Sequence, residues 1–428
     1  PSPGVDLRKW AVIACDQYTS EPEYWKAVSD FTGDSPSTLH MILPEVYLES
    51  PDREQRICEI DRQMEQALSS GQLSALPPGF ILVDRSTPFA SSRLGLMAAV
   101  DLTAYDFTPG SRSMIRATEG TVLERIPPRV VIREHARLEI PHIMVLIDDP
   151  GHTVIAPVYE SLRSTCPLYE TDLMMGSGHI TGYAVQQPKL LEQILKAVQA
   201  LYCCEEIPLF AVGDGNHSLA AAKTHYDNIL RKSGAPFASR HPSRFALVEI
   251  VNLHDPGLVF HPIHRLMFDP NPDALLLHMA SYYRGRSIDF KQIRTGNLEE
   301  ARDLAKASLV KNTGEHCIPW VSGNKTGLIM IQKTDLSPAY GVLQYYIDDC
   351  RPKVDYIHGD DSVLQLAQAP DHTGFFMPAV DKGSLFPAVA REGMLPRKSF
   401  SMGEAPEKRF YLECREISLP VAANTDRG

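Results

Sequence analysis

A short apolar segment, a polar turn and a helical segment follow one another between residues 207 and 230, and this stretch constrains the fold most strongly. Ile207 to Val212 has the composition of a buried strand. From Ser218 the sequence turns to Leu, Ala and Lys, which favour a helix as far as about Leu230. The turn between them reads Gly213-Asp214-Gly215-Asn216-His217. The pattern predicts an α/β fold, which we expect to contain a mixed sheet.

This turn has two interpretations. Glycine lets the backbone approach a ligand closely, and a helix N-terminus offers N–H groups to an anion, so the turn could hold a phosphate group. Alternatively, it is only a tight turn in which Asp214 or Asn216 caps the helix. Neighbouring polar blocks favour the ligand-binding interpretation.

The length of 428 residues predicts two or more domains, or one elaborated domain. The polar, proline-containing segment from Asp269 to Pro272 is typical of a boundary. We therefore expect a nucleotide- and substrate-binding core over residues 1–270. Residues 271–428 would form a C-terminal α+β region that completes the site.

The charge balance argues against a general nucleic-acid or anionic-membrane binder, because 42 Lys and Arg residues face 53 Asp and Glu residues, a formal net charge of −11. The eight cysteines are scattered without a C-x-x-C pair, which favours reduced thiols. No apolar run approaches membrane-spanning length, and no signal-like segment stands at the N-terminus. These observations predict a cytoplasmic protein without a nucleic-acid or membrane partner.

A first polar block, Asp16-Gln17-Tyr18, follows the apolar strand predicted from Trp10 to Cys15. Polar side chains at the end of a buried strand often carry the chemistry of α/β proteins. The alternative is that Asp16 or Ser20 merely caps the helix that begins near Pro22. The arrival of three polar residues together favours a functional interpretation.

A second polar block runs from Arg116 to Arg129 and is followed by a predicted strand from Val130 to Arg133. Arginine side chains suit phosphate or carboxylate groups, and threonine hydroxyls with a carboxylate can support Mg²⁺ and its waters. A surface loop of solvated ion pairs is the alternative. The residues in question are Arg116, Thr118, Glu119, Thr121, Arg125 and Arg129.

Three further segments carry polar residues that could contact a substrate. His179 lies in a glycine-rich loop, His264 and Arg265 lie in Phe-His-Pro-Ile-His-Arg, and Lys398 and Ser399 lie near the C-terminus. Structural roles in turns or exposed loops are the alternative for each. The chain shows no evident nucleophilic triad. Its polar blocks instead supply what phosphoryl transfer needs, namely backbone donors, arginines and carboxylates for Mg²⁺.

These motifs together resemble a known family. The segment W-A-V-I-A-C-D-Q-Y-T-S-E-P-E-Y-W, the Arg116 block, G-D-G-N-H-S, F-H-P-I-H-R and L-P-R-K-S-F-S-M-G-E resemble a bacterial and archaeal family catalogued as domain of unknown function number one thousand and fifteen. That family looks related to free-serine kinases of the ParB/sulfiredoxin-like superfamily, which hold nucleotide phosphate with an Asp-Gly-x-His-Arg turn at a helix N-terminus. Asp214, Gly215 and His217 match this turn, whereas Ser218 stands where the arginine would be. Arg116, Arg125, Arg129 or Lys398 would have to replace the missing charge.

The resemblance implies a ParB/sulfiredoxin-like nucleotide-binding core with large elaborations. It also implies a kinase that transfers phosphate from ATP or ADP, with Mg²⁺, to the hydroxyl of a small metabolite, free L-serine first among them. The candidate catalytic residues are Asp16, Glu119, Asp214 and His217, with Asp214 and Glu119 at the metal. The catalytic glutamate of the kinases has two candidate counterparts here, Glu119 and Asp16, which are alternatives for the base. The implied nucleotide contacts are Gly213, Gly215, Asn216, Ser218, Arg116, Thr118, Thr121, Arg125 and Arg129. The implied substrate contacts are Gln17, Tyr18, His179, His264, Arg265, Lys398 and Ser399.

Other functions share part of this pattern. A nucleotide hydrolase or switch would keep the phosphate site and lack an acceptor pocket, and a nucleotide-binding regulator would not need the carboxylates. A DNA-binding ParB relative would need a basic helix-turn-helix segment, which the acidic chain does not show. A homodimer is expected only from its general frequency among soluble enzymes.

Overall fold

The computed structural model describes residues 1–269, 271–311, 314–332, 339–396 and 398–419. Its described residues form two compact units. The first comprises Pro1–Val259, Phe386–Met394 and the described residues from Gly403 onward, and the second comprises Phe260–Leu385 and Leu395–Met402. The functional division at residue 270 stays a prediction, and Pro270 itself lies outside the described residues.

The helices of both units alternate with strands along the chain. They are α1 (Leu7–Trp10), α2 (Pro22–Thr32), α3 (Arg53–Ser69), α4 (Ile126–Glu134), α5 (Ala156–Leu162), α6 (Pro188–Leu201), α7 (Asn216–Ser233), α8 (Ala235–Ala238), α9 (Pro272–Arg284), α10 (Leu298–Lys311), α11 (Ala339–Cys350), α12 (Asp360–Leu366) and α13 (Leu385–Glu392). Among the helices that the structure describes, none has both the length and the apolar character that crossing a membrane requires.

The strands are mostly short. They are β1 (Val12–Ile13), β2 (Phe80–Ser86), β3 (Leu94–Asp101), β4 (Tyr105–Asp106), β5 (Ile115–Ala117), β6 (Leu138–Glu139), β7 (Met144–Ile147), β8 (Tyr169–Asp172), β9 (His179–Val185), β10 (Phe210–Asp214), β11 (Phe245–Asn252), β12 (Phe260–Phe268), β13 (Phe290–Thr295), β14 (Glu315–Ser322), β15 (Lys325–Gln332), β16 (Val354–His358), β17 (His372–Phe375), β18 (Phe400–Met402), β19 (Phe410–Tyr411) and β20 (Arg415–Glu416).

The first unit is built on a nine-stranded sheet with the order β4-β5-β10-β7-β11-β3-β2-β9-β8. The β4–β5, β5–β10 and β7–β11 pairs are parallel, and the other neighbours are antiparallel. Two short antiparallel pairs, β1–β19 and β6–β20, connect the C-terminal segment to earlier parts of the chain. The predicted α/β fold with a mixed sheet is confirmed.

The predicted strand–turn–helix unit is present at the third strand of this sheet. Helix α7 begins at Asn216, two residues before the predicted start, because Gly215 is its N-cap. Leu219, Ala222 and Tyr226 are buried at a helical spacing and pack into the same core as Val145 of β7 and Val212 of β10. This packing fixes the start of α7 against the end of β10.

The predicted strand from Val130 to Arg133 is wrong, since these residues belong to helix α4. Two prolines occupy the first turn of α4, where proline is tolerated because its missing N–H has no intrahelical partner there. Ile126 and Val130 are four residues apart and pack against Ala220 and Ala221 of α7. The apolar run is therefore one face of a helix.

The second unit contains a seven-stranded sheet with the order β13-β15-β14-β17-β12-β16, and β18 pairs with β12 beside this path. The pairs within it are antiparallel. Its buried residues include Leu266, Trp320, Ile329 and Phe375.

Candidate functional site

One edge of the nine-stranded sheet gathers the polar segments of the first unit. Strands β5 and β10 are parallel and end together, and Thr118 Oγ1 donates a hydrogen bond to the carbonyl oxygen of Val212 at 2.7 Å. Strand β7 runs antiparallel to β10, so its first residue, Met144, lies opposite Asp214. The loop after β5, the segment before β7 and the turn after β10 therefore meet at one place.

The turn after β10 is shaped by two glycines. The register between β10 and β7 shifts between Val212 and Asp214, which makes Gly213 the extra residue of a β-bulge. Gly215 has φ +77°, and a Cβ atom at this position would lie 3.1 Å from the Cα atom of Ile143. Both the backbone conformation and the close approach therefore favour glycine at position 215.

Helix α7 begins without a side-chain cap. The N–H of Leu219 makes the first intrahelical hydrogen bond, to the carbonyl oxygen of Gly215 at 3.0 Å. Asp214 Oδ1 accepts instead from the N–H of Gly215 at 2.9 Å, so the capping alternative does not describe this turn. The N–H groups of Asn216 and Ser218 precede the first intrahelical bond, in the position where helices bind anions.

Two buried polar atoms near this helix start have no hydrogen-bond partner among the described residues. They are Asn216 Oδ1, in the first turn of α7, and Thr121 Oγ1, in the loop after β5. Buried polar atoms are normally hydrogen-bonded because desolvation without a partner is costly. Both atoms are therefore available to a ligand or a water molecule.

Lys408 brings a positive charge to the same turn. Its Nζ atom lies 3.0 Å from Asp214 Oδ2, and both side chains are largely buried. Asp214 thus uses one oxygen for the backbone and one for Lys408, which leaves lone pairs on each oxygen.

Asp16 and His142 form a second charged pair beside the turn. Asp16 follows β1, and its Oδ2 atom lies 3.4 Å from Nε2 of the buried His142. Burial opposes the ionisation of Asp16, but the charge and hydrogen bond of His142 outweigh it and lower the pKa of Asp16. Burial likewise opposes charging of His142, yet Asp16 and then Asp214 raise the pKa of His142 above its ordinary value. Each partner therefore stabilises the ionised form of the other.

Tyr411 fixes the other side of the His142 ring. Its hydroxyl oxygen lies 2.7 Å from His142 Nδ1 and accepts a hydrogen bond from the backbone N–H of Cys15 at 3.0 Å. His142 Nε2 also lies 3.2 Å from Ser218 Oγ, in the first turn of α7. The ring thus connects Asp16 with the helix start.

The Arg116 block is divided between structural and site positions. Arg116 is buried, and its guanidinium donates to the carbonyl oxygens of Ser113, Glu205 and Glu206 at 2.7–2.9 Å. These bonds hold the loop that precedes β10. Arg125 is exposed. Glu119 lies half-buried in the loop between β5 and α4, at the same sheet edge as Asp214.

Arg129 is paired with Glu45, and both side chains are mostly buried. The backbone N–H of Glu45 donates to the carbonyl oxygen of Cys15 at 2.8 Å, which ties this pair to the segment that carries Asp16. His217, the matching histidine of the turn, accepts a hydrogen bond at Nε2 from the N–H of Val122 at 3.1 Å. The loop after β5 and the start of α7 are therefore joined directly.

Gln17 and Tyr18 continue the Asp16 segment. Gln17 Nε2 donates to Asp16 Oδ1 at 2.9 Å, so Gln17 helps to hold the carboxylate. Tyr18 has φ +51° and stacks on Tyr24 with ring centroids 3.7 Å apart.

His179 lies elsewhere in the first unit. It begins β9, five strand positions from β10 in the sheet, or roughly 24 Å at about 4.8 Å per strand. Its ring nitrogens contact Asp172 at 2.8 Å and Glu170 at 3.3 Å on the edge hairpin β8–β9. The structure does not bring His179 to the Asp214 turn.

The other predicted substrate residues belong to the second unit. His264 is buried, with Nε2 2.7 Å from Asp360 Oδ1 and Nδ1 accepting from the N–H of Met377 at 3.0 Å. Arg265 is buried and donates to the Ile263 carbonyl oxygen and to Gln344. Lys398 is exposed with φ +59°, and Ser399 Oγ donates to the Pro396 carbonyl oxygen at 2.5 Å. Arg397 of the same motif lies outside the described residues.

The sequence analysis did not single out three residues of this site: His142, Lys408 and Tyr411. Each is an isolated polar or aromatic residue without a neighbouring motif. They reach the site because β7 pairs with β10 and β19 pairs with β1.

The residues around the start of α7 fit the binding of a phosphate group. The uncapped helix N-terminus, Lys408 and the Thr121 hydroxyl offer hydrogen-bond donors and positive charge to a phosphate oxygen, whereas Asn216 Oδ1 can only accept a hydrogen bond. A metal ion would find lone pairs on Asp214, and Glu119 lies at the same sheet edge.

Comparisons with known proteins return solved structures of low identity and low TM-score. A search of curated proteins finds no match to this chain. A point variant of a free serine kinase in complex with ADP is 11% identical over 78% of this chain and 95% of its own, with a TM-score of 0.39. A conserved hypothetical protein from Pyrococcus furiosus is 12% identical over 75% of this chain and 95% of its own, with a TM-score of 0.36. SbnI from Staphylococcus aureus with a C-terminal truncation is 10% identical over 72% of this chain and 83% of its own, with a TM-score of 0.35.

At these TM-scores the likeness by itself establishes neither the fold nor the function of this chain. The family comparison is decisive for membership. A family model described as protein of unknown function (DUF1015) matches residues 1–344, which include the Asp16, Arg116 and Asp214 segments. The chain therefore belongs to the DUF1015 family.

Proposed function

We propose that this protein is a phosphotransferase that moves a phosphoryl group from ATP or ADP to the hydroxyl of a small metabolite. The observation that carries the proposal is the meeting of two carboxylates, Asp16 and Asp214, with Lys408 and the uncapped start of α7 at one sheet edge. Phosphoryl transfer depends mainly on positioning and on stabilising the charge of the transferred group. These residues could both position the reacting groups and stabilise the charge of the transferred phosphoryl group.

On the donor side, the start of α7 and Lys408 would bind the phosphate oxygens of the nucleotide. The Thr121 hydroxyl would donate a further hydrogen bond to a phosphate oxygen, and Asn216 Oδ1, which can only accept, would face a hydroxyl group of the nucleotide, since neither atom has a partner among the described residues. Asp214 and Glu119 would hold Mg²⁺, which would neutralise part of the phosphate charge when bound. Ser218 replaces the arginine of the related kinases, and Lys408 is the cation that the structure brings nearest to Asp214.

On the acceptor side, Asp16 would accept the proton of the attacking hydroxyl. The hydroxyl oxygen would form a bond to the terminal phosphorus as the bond from phosphorus to the bridging oxygen breaks, and the shortened nucleotide would leave. His142 would orient Asp16, with Tyr411 holding the opposite ring nitrogen. The lowered pKa of Asp16 keeps the carboxylate ionised and able to accept a hydrogen bond from the substrate.

The test is phosphorus NMR of purified protein with Mg²⁺, ATP or ADP, and a panel of hydroxyl compounds that includes L-serine. A new phosphomonoester signal that is lost in Asp214→Asn would support the proposal. Asp227→Asn is the matched control, because Asp227 lies further along α7, the helix that follows the turn, and pairs with Lys223.

Two other results would replace the proposal. Loss of nucleotide without a phosphorylated acceptor would identify a hydrolase or switch. Nucleotide binding without turnover would identify a regulator.

A further inference from the structure

A cavity of about 150 Å³ lies beside the His142 ring in the first unit. His142, Ser218 and Tyr411 line one part of it, and most of the other lining residues are aliphatic, among them Ile42, Leu43 and Ile132. An engineered protein cavity of similar volume binds benzene, so this space suits a ligand of about six to eight non-hydrogen atoms. The walls favour a compact apolar body.

The polar end of the cavity adjoins the residues proposed for catalysis. His142 Nε2 lies 3.2 Å from Ser218 Oγ and 3.4 Å from Asp16 Oδ2. A hydroxyl group at this end would lie next to the proposed base and the start of α7. The cavity is therefore placed where an acceptor would have to be.

The charged side chains that line the cavity belong to two ion-pair clusters, and one of these has an excess of positive charge through Arg415, which does not itself line the cavity. Arg129 is matched by Glu45, but the buried Glu139 is shared between Arg133 at 2.5 Å and Arg415 at 2.6 Å. Glu139 Oε1 also accepts from the N–H of Leu247 at 2.8 Å. Two guanidinium groups thus share one carboxylate, and this cluster carries a net charge of +1.

Arg133 has donor capacity left for a ligand. It lines the cavity, and its Nε atom is buried without a hydrogen-bond partner among the described residues. A guanidinium group recognises a carboxylate with paired hydrogen-bond donors. A zwitterion would add no net negative charge, and the two carboxylates that line the cavity, Glu45 and Glu139, are already paired with arginines. Its ammonium group would therefore compete with those arginines or face aliphatic walls, where an unpaired charge is costly.

We infer that this cavity is the acceptor pocket and that it takes a short aliphatic hydroxy-carboxylate in preference to zwitterionic L-serine. The carboxylate binds Arg133, the aliphatic body fills the apolar part, and the hydroxyl lies at His142 and Ser218. This inference rests on the proposed phosphotransfer for the fate of the hydroxyl, but the binding it describes does not require nucleotide.

The experiment is calorimetric titration of the nucleotide-free protein with 3-hydroxybutyrate, butyrate and L-serine. We expect 3-hydroxybutyrate to bind at least tenfold more tightly than L-serine. Arg133→Gln should weaken 3-hydroxybutyrate about 10- to 100-fold, the effect of losing a charged hydrogen bond. Arg137→Gln is the matched control, since Arg137 pairs with Glu65 and Glu416 and does not line the cavity.

Ala136→Met provides a second variant that leaves every charge in place. Ala136 lines the cavity, so the larger side chain should occupy it and abolish binding of both hydroxybutyrate and butyrate while circular dichroism stays native. Equal or tighter binding of L-serine, or unchanged hydroxybutyrate binding in Ala136→Met, would overturn the inference.

Phosphorus NMR on the same samples separates this inference from the proposed function. If 3-hydroxybutyrate binds in the cavity but no compound is phosphorylated, the inferred pocket is supported and the phosphotransferase proposal is rejected. If L-serine is phosphorylated and hydroxybutyrate does not bind, the phosphotransferase proposal is supported and the inferred acceptor class is rejected.

Discussion

The residues around His142 show how one buried ring can organise a charged site. Nε2 faces Asp16, and Nδ1 faces a tyrosine hydroxyl that already accepts a backbone hydrogen bond from Cys15. Both ring nitrogens therefore have polar partners, and the charged ring can donate to Asp16 from Nε2 and to Tyr411 from Nδ1. These contacts fix the orientation of the ring beside the carboxylate.

Asp16 and Glu119 are the two residues that the sequence proposes for the base, and substitution can separate them. We expect Asp16→Asn to lower kcat about 100-fold or more with little change in nucleotide affinity, because general-base catalysis contributes about 10²–10⁴. Glu119→Gln should instead weaken the dependence on Mg²⁺, since Glu119 lies on the side of the turn proposed for the metal. Steady-state kinetics over a Mg²⁺ titration measure both effects. Loss of kcat in Glu119→Gln alone would assign the base to Glu119.

The Asp16–His142 pair should make stability depend on pH. The lowered pKa of Asp16 stabilises the fold above the ordinary value of about 3.9, and this contribution is lost as pH falls through the folded pKa. The raised pKa of His142 stabilises the fold below about 6.5, and this contribution is lost as pH rises through the folded pKa. The free energy of unfolding should therefore differ most between wild type and His142→Gln from about pH 4 to 6.5.

Urea denaturation of both proteins between pH 3 and 9 measures that difference. The His142→Gln profile should lack the decline above about pH 6.5 that His142 gives the wild type. Two curves with a constant separation across the whole range would show that the pair is not coupled in this way.

At the scale of elements, the site depends on the conformation of the turn that joins β10 to α7. Gly215→Ala should lower the free energy of unfolding by about 2 kcal/mol, because a left-handed L-residue costs about 1–2 kcal/mol and its Cβ would crowd Ile143. Chemical denaturation measures this cost. Gly71→Ala is the control for backbone strain alone, since Gly71 has φ +74° and open space around its Cβ position. Equal losses of stability in the two variants would show that crowding against Ile143 adds nothing to the cost of backbone strain.

The elements also show what local sequence can and cannot predict. The strand, turn and helix around Asp214 follow from composition and glycine spacing, because the interactions that form them are local. The run from Val130 to Arg133 was misread as a strand, since four apolar-rich residues fit a buried strand or one face of a helix equally well. His142, Lys408 and Tyr411 could not be found by pattern, because strand pairing over long sequence distances brings them to Asp16 and Asp214. Arg116 stands in a promising polar block, yet its donors are directed to backbone carbonyls.

At the scale of the whole molecule, the described C-terminal residues from Gly403 onward belong to the first unit although the second unit precedes them in sequence. Strand β19 pairs with β1, and Trp10 donates from its indole Nε1 to the carbonyl oxygen of Leu412 at 3.0 Å. The segment thereby delivers both Lys408 and Tyr411 to the site. The candidate site is therefore complete only once the chain has been synthesised beyond Tyr411.

Arg409 connects this C-terminal segment to the nine-stranded sheet through buried charges. Its guanidinium contacts Glu249 of β11 at 3.4 Å and pairs with Glu413, and all three side chains are buried. Burial opposes the charge on Arg409, but Glu413 and then Glu249 raise the pKa of Arg409 above its ordinary value. Removing the cation would leave two buried carboxylates without their shared partner.

We therefore expect Arg409→Leu to lower the free energy of unfolding by about 3–5 kcal/mol, because an uncompensated buried charge is costlier than a lost surface pair. Arg409→Lys keeps the charge and should recover part of this loss. Arg62→Leu is the control, since Arg62 forms a comparable arginine–carboxylate pair with Glu59 on the exposed face of α3 and should leave the denaturation midpoint unchanged. Guanidinium denaturation compares the three variants. If Arg409→Leu matched wild type, the C-terminal segment would have to be held by the β1–β19 pair and its apolar contacts alone, since the buried charges would then contribute no net stability.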